Sequence, residues 1–503
     1  MKKSQNNINH HPKHQTTIIN DLRSSLKIIK NDSLQYIETN FPIDPKEDLA
    51  GVYRHIGAGG TVMRPTKIGP AMIFNNIKRF PKSRILVGLM ASRQRVGKIL
   101  NIPYKKLGIY MANARKNIIP PVVIKNNKAK CQEIIYNAKQ KFFDIRKILP
   151  TITNTINDAG PYLCLGLVLS NEYQNPKNTN VSIHRLCMQS KNELSIFFAP
   201  GRHIDTFRKK AELLGKSLAV SINIGLDPAI YIGAEFEAPT APFGFNELSI
   251  AGGLRKKPVE LVNCISIKQK AIAKAEIVIE GEILPNVRIP ENKKLKTGLA
   301  MPEFLGYTGI ANPALPMIKV KAITTRKNPI LQTIIGPGEE HVNLVGIPTE
   351  ASIYLRCEEA IPGLVKNVYA HSAGGGKLLA ILQVNKRNKY DDGLTRQAAL
   401  VALSVYRELK NIFLIDEDVD LFDTNDVLWA MQTRYLSEID TISIPGITGH
   451  ILDPSQNYQY NQKYLKKGIT TKTIFDCTVP YNLKNNFIRT NFKKINPSPW
   501  LKK

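Results

Sequence analysis

Residues 163–170 read LCLGLVLS, and this stretch is the first of four short runs that decide the fold of the middle of the chain. The others read LSIFFAP (194–200), LAVSINIG (218–225) and EIVIEGEIL (276–284). Each run is rich in apolar residues, and Gly, Pro or Asn separates it from the next, which is the pattern of strands between turns. The runs predict a central sheet or barrel-like domain.

The segments on either side of this region mix strand and helix patterns. In front, helical periodicity marks residues 21–30 and 104–116. Behind, a helix pattern at 393–409 and another from Asp426 enclose the apolar strand IFLIDEDV at 412–419. Alternation of strand and helix is typical of an α/β layer architecture.

The expected fold class is therefore α/β with α+β mixed character, since two α/β regions flank a β-rich centre. A chain of 503 residues is long enough for several domains. We expect a disordered basic tail at 1–16, an N-terminal α/β region at 17–118, the barrel-like domain at 119–327, and a C-terminal α/β domain with a basic tail at 328–503.

Composition places the chain among ordinary globular proteins, with 43% hydrophobic and 22% charged residues. Its six cysteines are scattered without a CxxC pair, which argues against a disulfide framework or a zinc site and suits a reducing compartment. The basic N-terminus has no apolar core behind it, and the apolar run at 161–169 is too short to span a bilayer. These features predict a cytoplasmic protein.

The formal net charge of +29 raises the question of a nucleic-acid or membrane-surface partner. The lysines are spread through every segment, and no nucleic-acid-binding motif or aromatic-basic array accompanies them. We therefore expect a solvated basic surface and no specific nucleic acid. A basic nucleic-acid-binding protein built on a decayed enzyme scaffold remains the alternative from a different class.

Three familiar motifs fail on spacing. GAGGTV at 57–62 lacks the GxGxxG order of a dinucleotide site. AGGGKLL around Lys377 lacks the first glycine and the Ser or Thr of a phosphate-binding loop. DEDVDLFDTNDV at 416–427 offers Leu421 where a calcium loop needs glycine and Val427 where it needs glutamate. All three are predicted to be structural.

Residues able to do chemistry are concentrated in the central region. The segment Asn180 to Arg185 reads NVSIHR, Arg202 and His203 follow the run LSIFFAP, and Glu247 follows the loop APTAPFGF. An amide oxygen, an imidazole nitrogen and a carboxylate could together hold a divalent ion such as Mn²⁺ or Mg²⁺. From the residues alone, buried structural hydrogen bonds remain the other interpretation.

The segments NVSIHR, PGRHI, NELSIAGGL and AEIVIEG occur here in the order in which UbiD-type decarboxylases carry them. The chain therefore resembles that family. Within it, the chain resembles the large catalytic subunit of bacterial gallate and protocatechuate decarboxylases, through strings such as GVYRHIGAGGTVMRPTKIGPAMIFNN, TGLAMPEFLGYTGIANPAL and LIDEDVDLFDTNDVLWAMQTR. The resemblance covers residues from about Leu49 to Cys477.

The resemblance implies a flavin-binding split β-barrel in the centre and a prenylated FMN cofactor. It also implies Mn²⁺ or another divalent metal that bridges to the flavin phosphate, with K⁺ as a further candidate ion. The implied metal ligands are Asn180, His203 and Glu247. The implied flavin contacts are Asn180, Ser182, Ile183, His184, Arg185, Arg202, His203 and Glu247. The implied catalytic residues are Arg185, beside the substrate carboxylate, and Glu303, the proton donor.

The activity implied is non-oxidative decarboxylation of a hydroxylated aromatic acid of the gallate, protocatechuate or 4-hydroxybenzoate type. The second candidate is a 4-hydroxy-3-polyprenylbenzoate decarboxylase of quinone synthesis. The implied partners are the small aromatic acid, a flavin prenyltransferase that supplies the cofactor, and further copies of the chain in a dimer or hexamer. One departure from the family is that many members carry a second glutamate five residues before the proton donor. Here Gly298 takes that place, and the nearest carboxylate is Glu291.

Overall fold

The computed structural model describes residues 19–58, 68–199, 201–293, 297–456 and 468–501. The predicted disordered tail at 1–16 lies outside these ranges, as do residues 59–62 of GAGGTV and Pro200. The chain divides into two compact units, Met1–Ala351 and Ser352–Lys503. The four domain ranges expected from the sequence stay predictions.

The first unit contains an N-terminal mixed sheet and the central β-rich region. Its helices are α1 (Leu22–Ile29), α2 (Asp48–Ala58), α3 (Arg93–Leu100), α4 (Leu107–Lys116), α5 (Ile145–Ile148), α6 (His203–Leu213), α7 (Pro228–Gly233) and α8 (Leu248–Arg255). Its strands are β1 (Tyr36–Thr39), β2 (Ala71–Phe74), β3 (Arg84–Val87), β4 (Val122–Val123), β5 (Ile134–Asn137), β6 (Tyr162–Asn171), β7 (Thr179–Ser190), β8 (Glu193–Ile196), β9 (Leu218–Ile224), β10 (Glu260–Asn263), β11 (Lys270–Ile272), β12 (Ile277–Ile289), β13 (Leu299–Pro302), β14 (Thr308–Ile310), β15 (Leu315–Thr325) and β16 (Ile330–Gln332).

Six strands of this unit close into an antiparallel barrel in the order β12-β9-β6-β7-β8-β15, and β15 pairs back with β12. β5 pairs with the last residues of β15, from Ala322 to Thr325, beyond the part of that strand that pairs with β8. The four apolar runs of the sequence supply β6, β8, β9 and β12. The predicted mixed fold with a central barrel is confirmed.

Burial explains why β6 reads as a continuous apolar run rather than an alternating one. Its residues from Tyr162 to Ser170 are all buried, so both faces of the strand are covered. Gly166 is required by this packing, because a Cβ there would lie 2.6 Å from the side chain of Leu186 and 3.0 Å from that of Ile222. The packing of the barrel wall therefore requires glycine at this position of β6.

The N-terminal sheet has the order β1-β2-β3-β16, and β16 joins β3 in parallel. One hydrophobic core joins this sheet to the barrel, since Phe74 and Val87 belong to the same buried cluster as Ile222 and Ile279. Helix α1 begins at a capping box in which Asp21 accepts from the backbone of Ser24.

The second unit is a layered α/β domain. Helix α9 (Glu339–Ala360) runs across the division between the units. The remaining helices are α10 (Asp391–Val405), α11 (Thr424–Arg434), α12 (Ser437–Asp440) and α13 (Ser498–Leu501), and the strands are β17 (Val365–Ala370), β18 (Leu379–Val384), β19 (Asn411–Asp416), β20 (Thr441–Thr448) and β21 (Ile469–Cys477). These strands form one sheet, β17-β18-β19-β21-β20, whose three central strands are parallel.

Helices cover both faces of this sheet. Ala398 and Ala402 of α10 pack in one buried cluster with Leu414, whereas Val427 of α11 packs in another with Ile415. Neighbouring residues of β19 therefore point into different cores, as the two-residue period of a strand requires. All six cysteines are free. None of the described helices combines the length and the apolar character that a bilayer crossing requires.

Candidate active site

Strand β7 presents the predicted site residues on two faces. Asn180, Ser182 and His184 alternate along one face, and Ile183 and Arg185 point to the other, because successive side chains of a strand point in opposite directions. Asn180 and His184 are buried, whereas Ser182, Ile183 and Arg185 are half-buried. The two faces of β7 therefore contribute different sets of predicted site residues.

His184 is a neutral ring in this arrangement. Burial, assisted by the nearby Arg202 guanidinium, lowers the pKa of His184 to about 3. A neutral ring carries one proton, which Nδ1 donates to the Phe197 carbonyl at 3.1 Å, so Nε2 accepts from Ser182 Oγ at 2.8 Å. Ser182 Oγ also lies within hydrogen-bond distance of Asn180 Oδ1, at 2.9 Å, so the hydroxyl links the amide to the imidazole. The amide oxygen has two lone pairs and can therefore face a further positive group beside the hydroxyl.

Glu247 joins this face from the end of the loop that precedes α8. Asn180 Nδ2 donates to Glu247 Oε1 at 2.9 Å, and the Val181 amide donates to Oε2 at 2.9 Å. The residue is only 2% exposed, and burial raises its pKa to about 8. The hydrogen-bond partners that the described residues give it are all uncharged. A buried carboxylate with neutral neighbours is costly unless a cation compensates it.

Arg202 and His203 lie where α6 begins. Arg202 forms an ion pair with Glu237. The ring of His203, the first residue of the helix, meets the ring of Phe243 edge to face at a centroid distance of 5.4 Å. Phe243 lies four residues before Glu247, so the segment between Glu237 and Glu247 connects the start of α6 to the Asn180–Glu247 pair.

These residues fit a hard divalent cation. Asn180 and Glu247 are in direct contact and supply an amide oxygen and an otherwise uncompensated carboxylate. The connecting segment joins this pair to the start of α6, where His203 lies. Within the described ranges, no three His, Cys, Asp or Glu side chains are already grouped as a metal site. The metal assignment of Asn180, His203 and Glu247 therefore stays a prediction, with the two oxygen donors of the set adjacent.

On the other face of β7, Arg185 is held between two carboxylates. Its Nε and Nη2 lie 3.0 Å and 3.1 Å from the two oxygens of Glu291, and Nη1 donates to Glu303 Oε1. The guanidinium carbon also lies 4.3 Å from the centre of the Phe197 ring. Tyr162 completes the environment by donating to Glu291 Oε1 at 3.1 Å. The guanidinium is thereby fixed in one orientation.

Glu303 lies in the turn between β13 and β14. Its amide donates to the Tyr307 carbonyl at 2.8 Å, which closes the turn. Burial raises the pKa of Glu303, and Arg185 opposes that increase. Gly309 leaves the space for this carboxyl, because a Cβ there would lie 2.5 Å from Glu303 Oε1. The neighbouring Phe304 stacks on the His341 ring at 5.3 Å. A largely buried carboxyl group with a raised pKa beside a guanidinium is suited to donate a proton.

The sequence did not assign a role to Glu291. It stands twelve residues before Glu303 rather than five, yet its carboxylate contacts the same guanidinium. Glu291 is 1% exposed and also accepts from the Asn312 amide at 3.0 Å. Arg185 is thus flanked by two glutamates, although the second carboxylate belongs to Glu291 and not to a residue at position 298.

The chain matches all three domains of one protein family. The 3-octaprenyl-4-hydroxybenzoate carboxy-lyase (UbiD) N-terminal domain matches residues 32–113, the Rift-related domain matches 122–339, and the C-terminal domain matches 342–477. Among curated proteins, a gallate decarboxylase of Lactiplantibacillus plantarum is 50% identical over 477 residues, which cover 94% of this chain and 97% of that protein.

Solved structures agree with these matches. The apo 3,4-dihydroxybenzoic acid decarboxylase of Enterobacter cloacae superposes with a TM-score of 0.91 at 58% identity, covering 96% of this chain and 99% of that one. The UbiD-class enzyme HmfF of Pelotomaculum thermopropionicum, solved with FMN, gives a TM-score of 0.83 at 28% identity and covers 96% and 100%. An evolved dimeric form of HmfF, solved with prFMN, gives 0.80 at 27% identity, covering 96% of this chain and 100% of that one. The resemblance stated from the motifs is confirmed.

Proposed function

The chain belongs to the UbiD family of carboxy-lyases, and we propose that its reaction is the non-oxidative decarboxylation of a hydroxylated aromatic acid of the gallate, protocatechuate or 4-hydroxybenzoate type. The observation that carries the proposal is Arg185 held between Glu291 and Glu303. This arrangement offers a cation for a substrate carboxylate and a carboxyl group for the ring carbon. Gallate and 3,4-dihydroxybenzoate appear in the names of two similar proteins.

The enzyme uses a flavin, and we propose that the flavin is prenylated FMN with Mn²⁺ or another divalent metal. Breaking an aryl–carboxylate bond leaves an electron pair on a ring carbon, and protein side chains provide no acceptor for it. When bound, the prenylated flavin supplies that electron-accepting carbon. The residues that would hold the flavin are Asn180, Ser182, Ile183, His184, Arg185, Arg202, His203 and Glu247. Asn180, His203 and Glu247 would hold the metal, and K⁺ is proposed as a further ion.

The protein's own part of the reaction is to orient the acid and to supply one proton. Arg185 would bind the substrate carboxylate through its guanidinium, which Glu291 fixes from the other side. As CO₂ leaves, Glu303 would transfer its carboxyl proton to the ring carbon that carried the carboxylate. The resulting glutamate anion lies against Arg185, which stabilises it until a proton returns from solvent.

His184 is a weaker candidate for the proton donor. Its low pKa leaves the ring neutral near neutral pH, and its one proton is donated to the Phe197 carbonyl. Glu303 differs because its pKa is raised, so its acid form persists to higher pH than that of an exposed glutamate.

The activity itself is tested by CO₂ release from a panel of acids. We expect turnover of at least one of gallate, protocatechuate and 4-hydroxybenzoate by protein produced together with a flavin prenyltransferase. Protein from a host without the prenyltransferase, reconstituted with ordinary FMN, should be inactive. Full turnover in that second preparation would contradict the proposed cofactor, and failure on every acid would contradict the proposed reaction.

The second candidate substrate is a 4-hydroxy-3-polyprenylbenzoate, which the description of the matching domains favours. A 4-hydroxy-3-polyprenylbenzoate assayed beside the three small acids separates the two candidates, because a pocket for a small acid excludes the long prenyl chain. We further propose a cytoplasmic homo-oligomer as the working form, and the dimeric form of HmfF supports that assembly.

The pH dependence of turnover should reflect Glu303. Because the group must be protonated to act and its pKa is raised, turnover should fall as pH rises through that pKa. Arg185, whose own pKa is raised, stays charged over the same pH range and so does not cause this fall in turnover. The fall is measured as kcat against pH for the flavin-loaded enzyme. A rate that increases with pH across this region would show that Glu303 acts as a base instead.

A further inference from the structure

The segment from Glu237 to Glu247, here called the strap, is tied down at several points. Glu237 pairs with Arg202 at the start of α6. Further along, Arg115 Nε donates to the Thr240 carbonyl at 2.7 Å, and the Thr179 amide donates to the Gly244 carbonyl at 3.4 Å. The strap thus contacts the residue before His203 and the residue before Asn180, and it ends at Glu247. Its path joins all three predicted metal ligands.

Phe243 is the strap residue that touches a predicted ligand directly. Its ring meets His203 at 5.4 Å and an interplanar angle of 75°, and meets Phe207 of α6 at 5.3 Å and 83°. Both are edge-to-face contacts of the kind that aromatic rings prefer. Lys210 Nζ lies 5.0 Å from the centre of the same ring, so α6 holds Phe243 at three places.

Phe243 lies at the edge of the core, since its side chain is 42% exposed, whereas Phe207 beneath it is fully buried. The backbone of His203 is fixed by α6, but its ring must still be turned toward Asn180 and Glu247 to bind a shared ion. Groups that orient a ligand ring in this way affect metal affinity without touching the metal.

We propose that Phe243 is a positioning residue for His203 and, through it, for a divalent-metal site completed by Asn180 and Glu247. The inference rests on the proposed metal site and adds to it the residue that sets the orientation of the imidazole. Phe243 and Glu247 lie on the same strap. The contact between Phe243 and His203 therefore also holds the Glu247 carboxylate in a fixed position relative to α6.

The test is an Mn²⁺ titration of metal-free protein with FMN kept in excess, with free Mn²⁺ followed by its paramagnetic resonance signal. Phe243→Leu keeps an apolar side chain but removes the ring edge. We expect its Mn²⁺ dissociation constant to rise about three- to tenfold, in keeping with the strength of one aromatic contact. Phe243→Tyr retains the ring edge and should bind within about twofold of the unaltered chain.

The matched control is Phe245→Leu in the same strap. The ring of Phe245 lies under Arg115 at 4.6 Å rather than against His203. Its replacement should leave Mn²⁺ affinity within about twofold of the unaltered chain, since it removes a ring contact of the strap but not the one to the ligand.

Each outcome has one meaning. Weak binding by Phe243→Leu alone, restored in Phe243→Tyr, supports the positioning role. Equal weakening by Phe243→Leu and Phe245→Leu would overturn it, because the strap would then act only as scaffold. Unchanged affinity in Phe243→Leu would also overturn it while leaving the metal site intact. No Mn²⁺ binding by the unaltered chain would instead refute the proposed metal site on which the inference rests.

Discussion

Replacing Glu303 by glutamine should lower turnover by about 100- to 10,000-fold, the range expected when a general acid is removed. Glutamine keeps the length of the side chain and can still accept a hydrogen bond from Arg185, but it has no carboxyl proton to deliver. The flavin and metal should remain bound, because neither the Asn180–Glu247 pair nor α6 is altered. Single-turnover rates of the flavin-loaded variant, compared with the unaltered enzyme, measure the effect.

Glu291→Gln is the informative companion to that variant. It leaves the proton donor in place but weakens the ion pair that fixes the orientation of Arg185, whose Nε and Nη2 both face Glu291. We expect a raised KM for the acid and a smaller loss of turnover than in Glu303→Gln. If Glu291→Gln lost as much turnover as Glu303→Gln with an unchanged KM, the division of roles between the two carboxylates would be wrong.

The second large effect concerns Glu247. Glu247→Ala should lose both the metal and most of the flavin, because the carboxylate is the one charged oxygen donor of the proposed metal set and the metal would help to hold the flavin. The metal and flavin contents of the purified protein, measured together, provide the readout.

Glu247→Gln separates charge from packing. It keeps the side-chain volume and one oxygen to accept from Asn180 or Val181, so the hydrogen bonds that hold the start of β7 are partly preserved. It should still lose metal, since an amide does not compensate a divalent cation as a carboxylate does. Normal flavin and metal content in Glu247→Ala would show that the assignment of Glu247 is wrong.

Much of the barrel could be predicted because its strands have a recognisable local sequence pattern. Runs such as LCLGLVLS are apolar without interruption, and burial on both faces of β6 is the reason. The closure of the barrel could not be predicted in the same way. β12 pairs with β15, and β13 and β14 lie between these two strands in the chain. Pairing between strands that are distant in the chain produces no periodic pattern in the sequence.

The site was predictable to the extent that its residues belong to recognisable segments. Asn180 and Glu247 lie sixty-seven positions apart and are bonded, and Arg185 and Glu303 lie 118 positions apart and are bonded. Their predicted roles await experiment. Glu291 escaped assignment because a fixed spacing of five residues was the only guide. It lies just after the end of β12, outside the β13–β14 hairpin that carries Glu303, and still reaches the same guanidinium. Phe243 escaped because an aromatic residue in a loop carries no pattern of its own.

The most direct test of the central claim follows the proton in both directions. In heavy water, the enzyme should exchange the ring hydrogen of the decarboxylated product at the position that carried the carboxylate, because the group that delivers the proton must also remove it in reverse. The measurement is the exchange rate beside the decarboxylation rate, in the unaltered enzyme and in flavin-loaded Glu303→Gln. Both rates should fall together by about 100-fold or more in the variant, with flavin and metal still bound. Exchange and decarboxylation that both stay near the rates of the unaltered enzyme would contradict this prediction, and Glu303 would then be a structural carboxylate.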